Sequence, residues 1–351
     1  MNADPDGEDS RWLIVEDGFT AAMANTYETL FTTGNGYLGT RGSLEEGHEG
    51  ALPGTFLRGV FDHHDSAVTD LVKAPDWLML AVVVNGIRLD VTSASVVRHR
   101  RILDMREGAV SRDTVFEDWQ GRRTRLETVH FASDADQHLC CLRARITPEN
   151  HTASIIVHSG IDGTGYNLDR RPIYTEPPPD DPQMKWHKWA KSKHFDEVAR
   201  EQLPDGIYLG TRTIGTGITI GYAALTTVSP AVESDVEQRY KYIEQVSRAQ
   251  VAAGDTLTVD KLTTVYTSRD VASGLRPPGV PGRARPPFRG RIRDVPRAEP
   301  RGMAGKVGRL RRHDRRKSRR DPRRALQHLP PPDRGERVGS ARQHRGKQPV
   351  G

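Results

Sequence analysis

Hydrophobic and polar positions alternate with a period of two through most of the first 270 residues, and helical periodicity is nearly absent. Trp77 to Val84 reads as a strand, Asn85-Gly86 as a turn, and Ile87 to Val91 as the returning strand. Asn-Gly between two β-prone runs is a strong hairpin signal, because both turn residues take positive φ. Thr114 to Trp119, Gln120-Gly121 and Thr124 to Phe131 read as a second hairpin. His138 to Ile146 is another strand, closed by Thr147-Pro148, and Ser154 to His158 is a short strand expected to be buried on both faces. Gly206 to Arg212 is expected to pair with Ile218 to Tyr222 across Gly215-Thr216-Gly217, and Thr256 to Tyr266 runs out of an Ala253-Gly254-Asp255 turn. Many short strands separated by turns predict an all-β protein, an antiparallel β-sandwich with two large sheets.

One stretch breaks the alternation. Asp169 to Gln202 contains Pro177-Pro178-Pro179 and Trp186-His187-Lys188-Trp189, and reads as a long excursion with a short helix at Asp196 to Gln202. Its tryptophans could stack on sugar rings or pin the loop to its own sheet, and both readings stay open.

Composition divides the chain in two. From Gly274 to Gly351 there are 21 Arg, 12 Pro and 11 Gly, with Phe288 the one aromatic residue. This segment holds 24 of the 52 Lys and Arg but 6 of the 46 Asp and Glu, so the first 273 residues hold 28 basic and 40 acidic groups. The net charge of +6 therefore hides an acidic folded part. A nucleic-acid binder is expected to carry its basic patch on a folded domain, with aromatic side chains for base stacking. Residues 273–351 are expected to be a disordered tail, and Arg, Pro and Gly are what GC-rich codons give when read out of frame. Residues 1–11 are expected to be a flexible N-terminus with no secretory signal, and no apolar run reaches the ~20 residues of a membrane span. The expectation is a cytoplasmic protein, with adjacent Cys140 and Cys141 as reduced, small apolar side chains.

Local motifs give little chemistry by themselves. Gly34-Asn35-Gly36-Tyr37-Leu38-Gly39 fits G-x-G-x-x-G, but Gly42 and Gly47 follow too soon for the helix that a dinucleotide site needs, so a glycine-dependent turn is expected instead. His63-His64-Asp65 has no second ligand cluster and reads as a surface loop. Glu45-Glu46 reads as a solvated turn, because acid–base pairs in glycoside cleavage stand across a bond from one another. No metal and no cofactor are expected. Trp77 after Pro75-Asp76 reads as a core residue at a strand start.

The run Glu28 to Gly42, ETLFTTGNGYLGTRG, resembles the N-terminal signature of glycoside hydrolase family 65. Further blocks follow in order: Pro53 to Phe56 with Gly59 to Asp62, Leu71 to Leu78, Leu103 to Gly108, Phe131 to Asp134, Ile146 to Asn150, Ser159 to Gly163 and Thr264 to Asp270. The resemblance covers residues 12–272 and implies an antiparallel super-β-sandwich, in agreement with the strand pattern. It implies a carbohydrate-active parent enzyme, a phosphorylase or hydrolase of maltose, trehalose or kojibiose, in which the sandwich is followed by a helical linker and an (α/α)6 barrel that supplies the catalytic acid.

After Asp270 the sequence leaves that pattern: Gly274, Pro277, Pro278, Pro281, Pro286 and Pro287 stand where a helix is expected, and an interior proline costs about 3 kcal/mol. A frameshift is the expected cause. No catalytic residue carries over onto this chain. The resemblance implies an α-linked disaccharide and inorganic phosphate as partners of the intact enzyme, and a homodimer, with no membrane and no specific nucleic acid. Substrate contacts, where the sandwich makes any, are expected from the loops holding Asn35, Tyr37 and Arg41, and Asp76 and Trp77. Two alternatives stay open: a stand-alone carbohydrate-binding module using Trp77, Trp186 or Trp189, and a nucleic-acid-binding protein acting through its basic tail.

Overall fold

The computed structural model describes residues 11–64, 69–92, 94–172 and 187–273, with backbone alone for residues 169–172, 187–190 and 271–273. The expected tail, the N-terminal residues before Arg11, and Trp186 lie outside the described residues; so does the Trp189 side chain.

Nine antiparallel strands make the larger sheet, in the order β1 (Leu13–Asp17), β8 (Ser95–Asp104), β9 (Ala109–Glu117), β10 (Arg123–Ala132), β11 (Leu139–Pro148), β20 (Leu257–Thr267), β17 (Thr219–Ser229), β16 (Gly206–Thr213) and β15 (Phe195–Leu203). The facing sheet has five: β18 (Ser234–Arg239), β19 (Tyr242–Val251), β12 (Ala153–Asp162), β6 (Leu80–Val84) and β7 (Ile87–Arg88). A four-stranded sheet, β2 (Thr33–Gly34), β3 (Leu38–Thr40), β4 (Thr55–Asp62) and β5 (Asp70–Ala74), adjoins them, and β13 (Asn167–Pro172) pairs with β14 (His187–Ser192). One short helix, α1 (Ala24–Leu30), precedes β2.

The expected β-sandwich is the observed fold. Alternation supplies its core: Leu126 of β10 stands opposite Ile146 of β11, which stands opposite Leu257 of β20, and all three face inward. Ile155, Val157 and Ile161 of β12 and Leu80, Val82 and Val84 of β6 meet them in one continuous cluster. Burying each such side chain contributes roughly 1.5–3 kcal/mol. Two polar contacts tie the sheets together inside that layer. Ser159 Oγ and Thr226 Oγ1 are 2.8 Å apart, and Lys261 Nζ donates to the carbonyls of Met79 at 2.9 Å and Gly160 at 2.6 Å.

The hairpins follow their turn residues. Asn85 and Gly86 have φ of 50° and 82°, the positive pair that such a turn requires. The second hairpin turns at residues 118–122, so Trp119, expected in a strand, stands at the tip 82% exposed. Cys140 and Cys141 are both buried and form no disulfide.

Several expectations are corrected. Residues 196–202 belong to strand β15, not to a helix. Glu, Ala, Arg and Gln favour helix, but so short an isolated helix is unstable, whereas the ladder to β16 satisfies the backbone. β12 runs on to Asp162 and alternates at its start, Ser154 exposed and Ile155 buried, so it is not covered on both faces. The strand expected from Trp77 begins at Leu80, and its partner ends at Arg88.

Candidate functional site

The turn at Asn35 is built by its own side chain. Asn35 Oδ1 accepts from the Tyr37 and Leu38 amides at 3.1 and 3.2 Å, and its Nδ2 donates to the carbonyls of Ser133 at 2.7 Å and Gln137 at 3.0 Å. Gly36 takes φ of 83°, which a side chain would strain. No helix follows, as expected from the glycines. Tyr37 is buried, and its hydroxyl donates to Asp270 Oδ2 at 2.6 Å. Burial and the Asp270 carboxylate both push the phenol's pKa far up, so it stays a donor. His138 lies edge-on to Tyr37 and stacks on Tyr266 at 4.0 Å. Arg41 is half-buried and reaches the Asn25 carbonyl and Glu28 at 3.3 and 3.4 Å.

The second candidate pair divides. Trp77 is 0% exposed, and its indole donates to Thr40 Oγ1 at 2.9 Å, so neither ring face is open. Asp76 is half-buried, joined to Asp162 through reciprocal backbone bonds of 2.7 and 3.0 Å. Burial raises the Asp76 carboxyl, and Lys261 opposes that rise. Around it stand Lys73 and Tyr166, with the Lys73 and Lys191 ammonium groups 5.7 and 4.3 Å from the Tyr166 ring centre. Burial lowers Lys73 from the ordinary lysine range, against the pull of Asp76.

The largest departure from expectation is at Glu45 and Glu46, which are not a solvated turn: each is 5% exposed. Arg112 on β9 grips Glu46 with two nitrogens, at 2.5 and 2.8 Å, and meets Glu45 at 3.1 Å. Thr128 on β10 donates to Glu45 at 2.6 Å, with His130 Nδ1 3.4 Å from the same oxygen. Burial alone would raise the Glu45 carboxyl; His130 and Arg112 override it and hold it well below the usual carboxylate range. Glu16, Arg101, Arg112 and Thr128 stand side by side on β1, β8, β9 and β10, a charged and polar row flanked on the same buried face by His99, Thr114 and His130. Arg101 Nε lies 2.5 Å from Glu16, and His99 lies 3.4 Å from it.

The legible signal for this cluster is parity. Arg112 alternates with Val110, Thr114 and Phe116, all buried, so its side chain had to enter the interior and find carboxylates there. Both carboxylates are committed to Arg112, so the pair offers no opposed acid and base. His63 and His64 are exposed, as expected, and among the described residues no three His, Cys, Asp or Glu converge as a metal site. Among the described residues, no helix is long and apolar enough to cross a membrane.

Comparison with known proteins gives one consistent family. The family model for the N-terminal domain of glycosyl hydrolase family 65 matches residues 14–278. A kojibiose phosphorylase from Caldanaerobacter subterraneus subsp. tengcongensis is 32% identical over 285 residues, covering 76% of this chain and 34% of its own. An alpha,alpha-trehalose phosphorylase from Thermoanaerobacter brockii is 28% identical over 173 residues, 45% of this chain and 22% of its own. Among solved structures, a putative kojibiose phosphorylase from human microbiome superposes with a TM-score of 0.61 at 17% identity, over 75% of this chain and 34% of that one, which shows the shared fold. The chain thus spans about a third of the length of the kojibiose phosphorylase relative it matches. It belongs to glycosyl hydrolase family 65, as a bearer of that family's N-terminal domain.

Proposed function

We propose that residues 12–272 are the scaffold domain of a cytoplasmic enzyme that cleaves an α-linked disaccharide, by phosphorolysis or hydrolysis, and that this chain alone has no such activity. The observation that carries the reading is the confinement of the match to the N-terminal-domain model, with only 34% of the kojibiose phosphorylase relative covered. Inverting cleavage needs a carboxylic acid on the leaving oxygen and a nucleophile on the opposite face of the sugar. Both must be held to a fraction of an ångström. The buried carboxylate pair of the sandwich is instead locked on Arg112, which supports a bracing role.

Of the five candidate contacts, we assign any substrate contact to Arg41 and Asp76, both half-buried. Asn35 and Tyr37 shape the turn that presents Arg41, and Trp77 supports Asp76 from within the core.

Two measurements test the reading. Purified chain incubated with kojibiose, trehalose or maltose, with and without phosphate, is expected to release neither glucose 1-phosphate nor glucose; turnover of any of them overturns the proposal. A chain ending at residue 273 is expected to unfold in one cooperative transition, and a non-cooperative melt overturns the domain boundary.

A further inference from the structure

Residues 41–54 connect β3 to β4 without regular secondary structure, yet Gly42 to Glu46 are buried. A buried irregular segment must find partners for its polar groups. Here most of the partners are charged side chains, beside two backbone bonds, from the Gly42 amide to the Glu28 carbonyl at 2.8 Å and from the Leu80 amide to the Glu45 carbonyl at 2.9 Å. Arg112 of β9 holds Glu45 and Glu46, beside His130 of β10. Arg101 of β8 donates to the Gly42 carbonyl at 2.7 Å while bound to Glu16 of β1, with His99 alongside. Arg88 of β7 donates to the Glu46 carbonyl. Glu28 of α1 accepts from the Leu52 amide at 3.1 Å and faces His48 at 3.5 Å and Arg41 at 3.4 Å. Of the segment's own side chains, Leu44 alone belongs to the main apolar core.

We propose that residues 42–52 are a charge-latched strap that acid releases as a local unit, uncovering Arg112 and His130 while the β-sandwich beneath stays folded. The division of labour makes the release local. Ionic contacts, with two backbone bonds and Leu44, hold the strap, whereas β10, β11 and β20 are held by long backbone ladders and an apolar core that protonation leaves alone.

The sign follows from the groups that face the strap. Glu45 and Glu28 would each be raised by burial, but their hydrogen-bonded and charged partners hold them below the usual range. Each therefore stabilises the closed strap above the ordinary carboxylate pKa of about 4.3 and loses that contribution as pH falls through its folded value. His48 opposes: its bond to Glu28 raises it, so it stabilises closure below about 6.5 and loses that as pH rises through its folded value. Two carboxylates against one histidine leave the strap closed near neutrality and released in acid.

Hydrogen exchange on the intact chain tests this, read by mass spectrometry from pH 7 to pH 4 and corrected for intrinsic rates. The amides of Gly42, Gly47 and Leu52 are expected to lose protection by about tenfold or more relative to the β10–β11 ladder, the equivalent of one pKa unit. Glu28→Gln is expected to move that loss to higher pH. Parallel loss in strap and ladder, or an unchanged strap at pH 4, overturns the proposal. The wild-type profile decides by itself should Glu28→Gln fail to fold.

Discussion

The Tyr37 hydroxyl donates to the Asp270 carboxylate at 2.6 Å, joining the glycine-rich turn near the start of the domain to the segment at its end. Asp270 Oδ2 also accepts from the Thr267 amide at 2.6 Å and its hydroxyl at 2.9 Å. The turn is thereby tied to the last strand's end, where β20 passes into residues 268–270. Tyr37→Phe removes one hydrogen bond to a charged acceptor and keeps the ring against His138. Urea denaturation is expected to show a loss of roughly 1.5–3 kcal/mol.

Glycines in the same stretch differ in what they tolerate. A Cβ on Gly42 would stand 2.3 Å from Phe31 Cβ and 2.7 Å from the Phe31 carbonyl oxygen, whereas one on Gly39 meets nothing closer than 3.9 Å. Gly42→Ala is expected to destabilise by about 1–3 kcal/mol, the usual range for overpacking. Gly39→Ala is expected to leave the thermal midpoint within a degree or two of wild type. Equal effects from the two would show that sterics at Phe31 do not select Gly42.

Removing Arg112 leaves two carboxylates without their main counter-charge. Arg112→Met is expected to cost about 3–5 kcal/mol at neutral pH, as for other broken buried pairs. The double variant with Glu46→Gln is expected to recover part of that loss. A single variant as stable as wild type would mean that water reaches Glu45 and Glu46 freely.

Lys261 gives a pH dependence of definite sign. Burial pushes its ammonium down to about 7, with Asp76 opposing. The unfolded chain, whose lysines titrate near 10.4, therefore binds more protons than the folded one between those values, and this residue makes stability rise with pH across that window. Lys261→Met removes the trend and leaves the Met79 and Gly160 carbonyls without their donor. The stability gap between wild type and variant is expected to widen from pH 6.5 to pH 8.5 in urea melts. A gap that narrows would contradict a lysine buried at low pKa.

The alternation of apolar residues determined the all-β fold, and Asn85-Gly86 determined the first hairpin, because pleat and turn geometry are local properties of the backbone. The parity of Leu126, Ile146 and Leu257 set the inner face in the same way. Site placement was not local. Trp77 and Asp76 are neighbours in sequence, yet one is sealed against Thr40 and the other stays half-buried and bonded through its backbone to Asp162, a partner 86 positions on that the local sequence does not reveal. Glu45-Glu46 carry no sign of burial in their own neighbourhood. They become interior residues because Arg112, Thr128 and His130, more than 60 positions away, arrive beneath them when β9 and β10 join the sheet. Likewise residues 196–202 read as helix until β16 offered its edge, since propensity of a few tenths of a kcal/mol per residue yields to a paired ladder. Sequence determined what each segment prefers alone; tertiary structure decided which charges share an interior, because only the closed sheet brings distant strands to within ångströms of each other.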